Sequence, residues 1–175
     1  MELPREILFI IIEFCDPLSR LRFTGVDKIF YNCFEIHDLM NIPEMYLMKL
    51  TDEILQQARL KNLKKLRVNK RITQKGILNF NLIELNISNN ENIYDVAFMD
   101  KLKKLCASSC KIKQSGIFGL DLIELNANYT ETIFNVFFMK NLKILYANGN
   151  WQIRFLIKTD LANNKEPLSA RYMWY

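Results

Sequence analysis

The chain has 175 residues and a formal net charge of +5, with half of its residues hydrophobic and a quarter charged. This composition belongs to a globular protein and not to a disordered one, and five glycines and four prolines leave no material for a long flexible linker. The greasiest stretch, Ile7 to Ile12, is broken by Glu13 and follows Glu2, Arg5 and Glu6, so it is neither a membrane span nor a secretory leader, whose first segment is basic. An intracellular location, cytoplasmic or nuclear, is the expectation. The four cysteines, Cys15, Cys33, Cys106 and Cys110, form no CxxC pair and have only His37 to join in holding a metal, so they read as reduced structural thiols.

Residues 1–35 follow a helical period. Leu3-Pro4-Arg5-Glu6-Ile7 opens a helix, with Pro4 in the first turn where its missing N–H costs nothing. Ile7, Ile10, Ile11 and Phe14 share one face. Asp16-Pro17 stops that helix and starts the next, carrying Leu18, Leu21 and Phe23. Gly25 breaks the pattern again before Val26, Ile29, Phe30 and Cys33. These residues resemble an F-box. Leu3, Pro4, Glu6 and Ile7 match its L-P-x-E-[IL] opening, Leu18 and Leu21 its L-x-x-L segment, and Val26, Lys28, Phe30 and Tyr31 its closing motif, although Asp27 stands where a cysteine or serine is usual. The resemblance implies docking on a Skp-family adaptor of a cullin–RING ubiquitin ligase, with Leu3, Pro4, Ile7, Leu18, Leu21 and Val26 as contacts. The residues leave a second reading open, in which the same apolar faces pack on the first repeat and cap the stack.

Residues 36–60 read as a packed helical connector, with Leu39, Ile42, Met45, Tyr46, Met48 and Leu50 apolar, and short helices expected around Pro43 and from Asp52 to Arg59. Thr51 or Asp52 suits the cap of the second helix. From Arg59 to Lys75 the chain carries eight basic residues and no acidic one. Such a run is either a solvated face or a patch for anionic partners. Few aromatic residues interleave with it, which argues against nucleic acid as the partner.

Residues 61–155 repeat. The leucines Leu63, Leu82, Leu102, Leu122 and Leu142 are separated by 19, 20, 20 and 20 residues. Each is followed by a second leucine (Leu66, Leu85, Leu105, Leu125, Leu145), a small or branched residue (Val68, Ile87, Ala107, Ala127, Ala147) and a later isoleucine (Ile72, Ile93, Ile112, Ile133, Ile153). The alternation around the second leucine is strand periodicity, and a fixed period means one unit stacked on copies of itself in parallel. A longer duplication is visible too: LKKLRVNKRITQKGI parallels LKKLCASSCKIKQSGI 39 residues on (from Leu63 to Leu102).

Asn90, Cys110, Thr130 and Asn150 occupy the ninth position of the last four units, while Arg71 falls there in the first. The pattern resembles the leucine-rich repeat. That resemblance implies an α/β solenoid: a right-handed coil with a short parallel β-sheet, in which Asn90, Cys110, Thr130 and Asn150 form an inward ladder satisfying buried backbone groups. With a period near 20 residues, the back of the coil has room for extended or 3₁₀ segments and none for a long helix.

The residue before the second leucine faces outward and reads Lys65, Glu84, Lys104, Glu124, Ile144, a ladder of opposite charges that fixes register. The next outward columns, Arg67, Asn86, Cys106, Asn126, Tyr146 and Asn69, Ser88, Ser108, Asn128, Asn148, are the candidates for partner contact on the concave side. Residues 156–175 lose the pattern. Phe155, Leu156, Ile157 and Leu161 suit a cap over the last coil, Pro167 ends a helix, and Arg171 to Tyr175 is strongly aromatic.

No P-loop, dinucleotide glycine motif, HExxH or GxSxG is present, and His37 alone would have to serve any Ser/His or Cys/His pair. The expectation is a non-enzymatic binding protein with no catalytic residue, metal or cofactor, recruiting an unidentified protein substrate to the ligase. The alternative is a scaffold or structural module without a ubiquitin link. The Asn-, Lys- and Ile-rich composition suits an AT-rich genome, as of a protist or a large DNA virus; in the viral case the protein would work in the host cytoplasm or in the virion.

Overall fold

The computed structural model describes residues 36–57, 60–162 and 171–173. The helical module expected over residues 1–35 lies outside the described residues, as do Arg59, Pro167, Trp174 and Tyr175.

The described chain winds as a solenoid around a single parallel sheet. Its strands are β1 (Asp38–Leu39), β2 (Lys65–Arg67), β3 (Glu84–Asn86), β4 (Lys104–Cys106), β5 (Glu124–Asn126), β6 (Ile144–Tyr146) and β7 (Arg171–Met173). They lie side by side in chain order, each parallel to the next. Helical segments lie in some of the connections: the short turns α1 (Glu44–Leu47), α2 (Asp52–Leu55), α3 (Gln74–Ile77) and a 3₁₀ turn (Gln114–Ile117), and the twelve-residue α4 (Trp151–Ala162) after the last repeat.

Register follows the leucines. Leu66, Leu85, Leu105, Leu125 and Leu145 are successive partners, and all are buried. The first leucines, the Val/Ile/Ala column and the five isoleucines are buried with them in one continuous core. Burying one leucine or isoleucine side chain stabilises by about 1.5–3 kcal/mol. No single coil closes a core, so this stabilisation exists only between coils.

The inward polar ladder joins coil to coil. Asn90 donates from Nδ2 to the carbonyls of Asn69 (2.8 Å) and Ile72 (2.9 Å) in the coil before, and accepts at Oδ1 from the N–H groups of Asn92 (2.8 Å) and Ile93 (2.9 Å). Asn150 repeats this, donating to Thr130 and Ile133 (both 2.8 Å) and accepting from Ile153 (3.1 Å). Thr130 gives its one hydroxyl proton to the carbonyl of Ala107 (2.5 Å), and Cys110 donates its thiol to the same carbonyl (3.1 Å).

The first coil solves the problem with a different residue. Asn69, expected to face outward, is only 6% exposed. Its amide donates to the carbonyls of Leu47 and Leu50 (2.9 Å to the latter) and its Oδ1 accepts from Arg71 N–H (2.7 Å). Val68 to Ile72 is two residues shorter than Ile87 to Ile93, so the ladder position moves back to Asn69 and leaves Arg71 exposed. Asn69 is therefore part of the core ladder and not of the contact face.

The connector is helical where its caps say so. Thr51 Oγ1 accepts from Ile54 N–H (3.4 Å) at the start of α2, and Pro43 precedes α1. It also supplies β1, which puts Leu39 beside Leu66 in the leucine column. After the last repeat, α4 begins at Trp151. Ile153 and Ile157 are buried beneath it, while Phe155 stays 62% exposed and takes no part in capping. β7 then returns to the sheet, with Tyr172 opposite Leu145.

The 40-residue duplication is visible on the back of the coil. The Gln74 carboxamide accepts from Tyr94 and Asp95 N–H (3.2 and 3.1 Å) and donates to Asp95 O (2.7 Å); Gln114 does the same to Phe134 and Asn135 (3.0, 3.0 and 2.8 Å). Gly116 sits so close to the preceding coil that a Cβ there would lie 2.2 Å from the Tyr94 carbonyl. A left-handed residue precedes the ladder position in four coils: Asn89 (φ 59°), Ser109 (51°), Tyr129 (53°) and Gly149 (68°). Gly149 has a second constraint, since a Cβ there would meet the Tyr129 ring at 2.3 Å.

Asn90→Ala removes four hydrogen bonds and leaves the Ile72 carbonyl and the Ile93 N–H buried without partners, and should cost about 3 kcal/mol or more in urea unfolding. Asn92→Ala removes one exposed bond, from Nδ2 to the Lys70 carbonyl (2.8 Å), and should cost only about 0.5–1 kcal/mol.

Candidate protein-interaction face

Strand alternation aims the residues on either side of each central leucine at solvent. Lys65, Glu84, Lys104, Glu124 and Ile144 are successive cross-strand partners, as are Arg67, Asn86, Cys106, Asn126 and Tyr146. Lys104 is exposed and the other nine are half-buried.

The charges neutralise one another. Glu84 lies 3.3 Å from Lys65 and 3.9 Å from Lys104, and Lys104 lies 3.6 Å from Glu124. Each such pair in partial contact with water is worth roughly 0.2–1 kcal/mol. Their effect is to hold a row of long side chains in place across the sheet.

The second column is held by local turns. Asn86 Oδ1 accepts from Ser88 N–H (3.0 Å), and Asn126 Oδ1 accepts from Asn128 N–H (3.1 Å). Asn128 Oδ1 in turn accepts from Asn148 N–H (2.7 Å) on the next coil. Ser88 Oγ meets Cys106 Sγ at 3.0 Å. Ser88, Ser108, Asn128 and Asn148 are half-buried at the rim where each coil leaves its strand.

α1 forms one wall of this face. Glu44 on α1 pairs with Arg67 at 2.8 Å. Between α1 and the sheet lies an open groove of about 520 Å³, lined in part by Met40, Met48, Arg67, Lys70 and Asn86. A second hollow of about 240 Å³ continues over Cys106, Asn126 and Tyr146 and shares Met40 and Asn86 with the first. Met40 and Met48 carry no sequence signal for this face, because the connector that holds them is outside the repeat and only folding brings it to the strands.

The basic run does not form one patch. Lys65 and Arg67 lie on the sheet face in ion pairs, Lys61 and Lys64 line a separate groove with His37 and Lys101, and Arg71 and Lys75 are exposed elsewhere on their coil. Strand alternation and the following turn distribute neighbouring residues to different sides. The return segments expose aromatic rings as well, among them Tyr94, Phe118 and Phe134, with Phe118 against Phe138 at 5.4 Å.

The two described thiols differ. Cys106 is half-buried on the outer face, whereas burial pushes the Cys110 thiol up to about 11. Among the described residues no cluster of three or more His, Cys, Asp or Glu is placed to hold a metal, and no helix is long and apolar enough to cross a membrane. No family model matches this chain, and no curated protein is significantly similar to it.

Two outcomes are expected from this geometry. Iodoacetamide at pH 8, read by peptide mass spectrometry, should label Cys106 and leave Cys110 unmodified until the protein unfolds, because a buried thiol at about 11 is almost wholly protonated there. Lys104→Glu places three carboxylates on adjacent strands and should lower stability by about 1–2 kcal/mol at low salt, a loss that shrinks as salt is added; Lys104→Met should cost less.

Proposed function

We propose that this protein recruits a protein partner through the solvent face of its sheet, and that residues 1–35 attach it to a Skp-family adaptor of a cullin–RING ubiquitin ligase. In this reading the coils are short leucine-rich repeats and the N-terminal segment is an F-box. The partner-binding half rests on one observation above all: a continuous outward row of ordered, hydrogen-bonding side chains that the core does not need. Asn86, Cys106, Asn126 and Tyr146 are in register across four strands, and neighbouring ion pairs hold them in place. The inward ladder of Asn90, Cys110, Thr130 and Asn150 supports the repeat reading. The ligase link rests on the L-P-x-E-I opening at Leu3 to Ile7 and on its place just before the repeats.

The connector suits this role. Leu39, Ile42, Leu47, Leu50 and Leu55 belong to the same buried core as the repeats, so the two are packed as one body. A recruiter built this way presents its binding face and the connector as one rigid unit.

A scaffold with no ubiquitin link is the second reading. Asp27 favours it, because a carboxylate replaces the small residue usual at that place in the F-box closing motif.

Co-expression with a Skp-family adaptor separates the two. The ligase reading expects a stable complex with the adaptor, and Leu3→Asp with Ile7→Asp should reduce adaptor recovery by about tenfold or more while thermal unfolding of the repeats is unchanged. Failure of the unaltered chain to capture any Skp-family adaptor would overturn it.

A further inference from the structure

The outward face is biased toward hydrogen-bond donors. Asparagine normally offers both an acceptor and a donor. Here the Oδ1 atoms of Asn86 and Asn126 are already engaged by the N–H groups two residues on, which also fixes how each amide points. Their Nδ2 groups have no acceptor among the described residues. The two amides sit on alternate strands, so about 9–10 Å separates them. Lys70 adds an exposed ammonium at the rim of the same groove.

Charge points the same way. Lys65, Arg67 and Lys104 lie within ion-pair distance of Glu44, Glu84 or Glu124, and Asp38, beside Lys65 in register, accepts at Oδ1 from Met40 N–H (2.8 Å); among the described residues Lys70 makes no ion pair. The amide oxygens of Asn86 and Asn126 and each of these carboxylates have a donor already, while the Asn86 and Asn126 Nδ2 groups and the Lys70 ammonium have no acceptor among the described residues. The face has apolar patches too: Met48 lines the groove beside α1, the Tyr146 ring lines the second hollow, and Met40 lines both. From Arg67 to Tyr146 is four strand steps, about 19 Å, which is the span of roughly six residues of extended chain.

We propose that the face binds an extended acidic peptide segment of about six residues, crossing the strands with its carboxylates and carbonyls toward Asn86, Asn126 and Lys70 and an apolar side chain seated against Met48. The proposal rests on the reading of this face as the partner surface and adds the chemistry of the partner. Backbone carbonyls and side-chain carboxylates match amide and ammonium donors; a basic segment would present donors to donors.

The test uses the full chain and three fluorescein-labelled hexapeptides followed by anisotropy: one with two aspartates and a terminal leucine, and its asparagine and lysine counterparts. The acidic peptide should bind about tenfold tighter than the lysine peptide, and its affinity should fall as salt rises. Asn86→Asp with Asn126→Asp keeps the oxygens that accept from Ser88 and Asn128 N–H, so the fold stays, but it replaces both free donors by charged acceptors. That double variant should lose about tenfold or more for the acidic peptide, and exposed Lys70→Glu should weaken it in the same direction. Equal binding of all three peptides, preference for lysine, or unchanged affinity in both variants would overturn the inference. The ligase reading fails by a different measurement, adaptor capture, which does not involve this face.

Discussion

Each coil must leave its strand by turning into the interior, and that turn buries backbone groups that water can no longer reach. A single inward side chain per coil answers them. Asn90 and Asn150 do so most completely, joining carbonyls of the preceding coil to N–H groups of their own. Thr130 and Cys110 do part of the work, both through the Ala107 carbonyl. Without these bonds the penalty would recur at every coil, because unsatisfied buried groups are expensive and return with the period.

The ladder also decides register. A coil tied at this point can stack on its neighbour in only one way, so the leucine, alanine and isoleucine columns fall into line and the sheet runs parallel in chain order. The outward columns inherit the same order, and the solvent face consequently carries an aligned row of polar groups instead of a scatter. Alternating lysine and glutamate on adjacent strands reinforces the alignment from outside.

Residues that repeat are legible in the sequence, and residues that act once are not. The leucines, the isoleucines, the charge ladder and Asn90 to Asn150 can be placed because their spacing is constant. Asn69 escapes the count because the first coil loses two residues just where the ladder residue stands, and counting along a period cannot reveal a shortened turn. β1 and β7 have no L-x-x-L signal; they are strands because a neighbouring strand offers open hydrogen-bonding groups. The glutamine clamps at Gln74 and Gln114 are hidden for another reason, since glutamine is ordinary in a polar turn until a second coil lies within 3 Å of it.

The repeating part of this protein comes from its sequence alone. Apolar residues at a fixed interval must be buried, and stacking equal coils is the way to bury them; that settles the solenoid, the parallel strands and, in every coil but the first, the inward ladder and which columns face water. What only the tertiary structure decided are the places where two distant segments meet once: α1 beside the sheet with Glu44 on Arg67, Met40 and Met48 lining the groove, and the basic run divided among different sides of the coil. Such meetings depend on the path of an irregular connector, whose residues carry no period for the eye to follow.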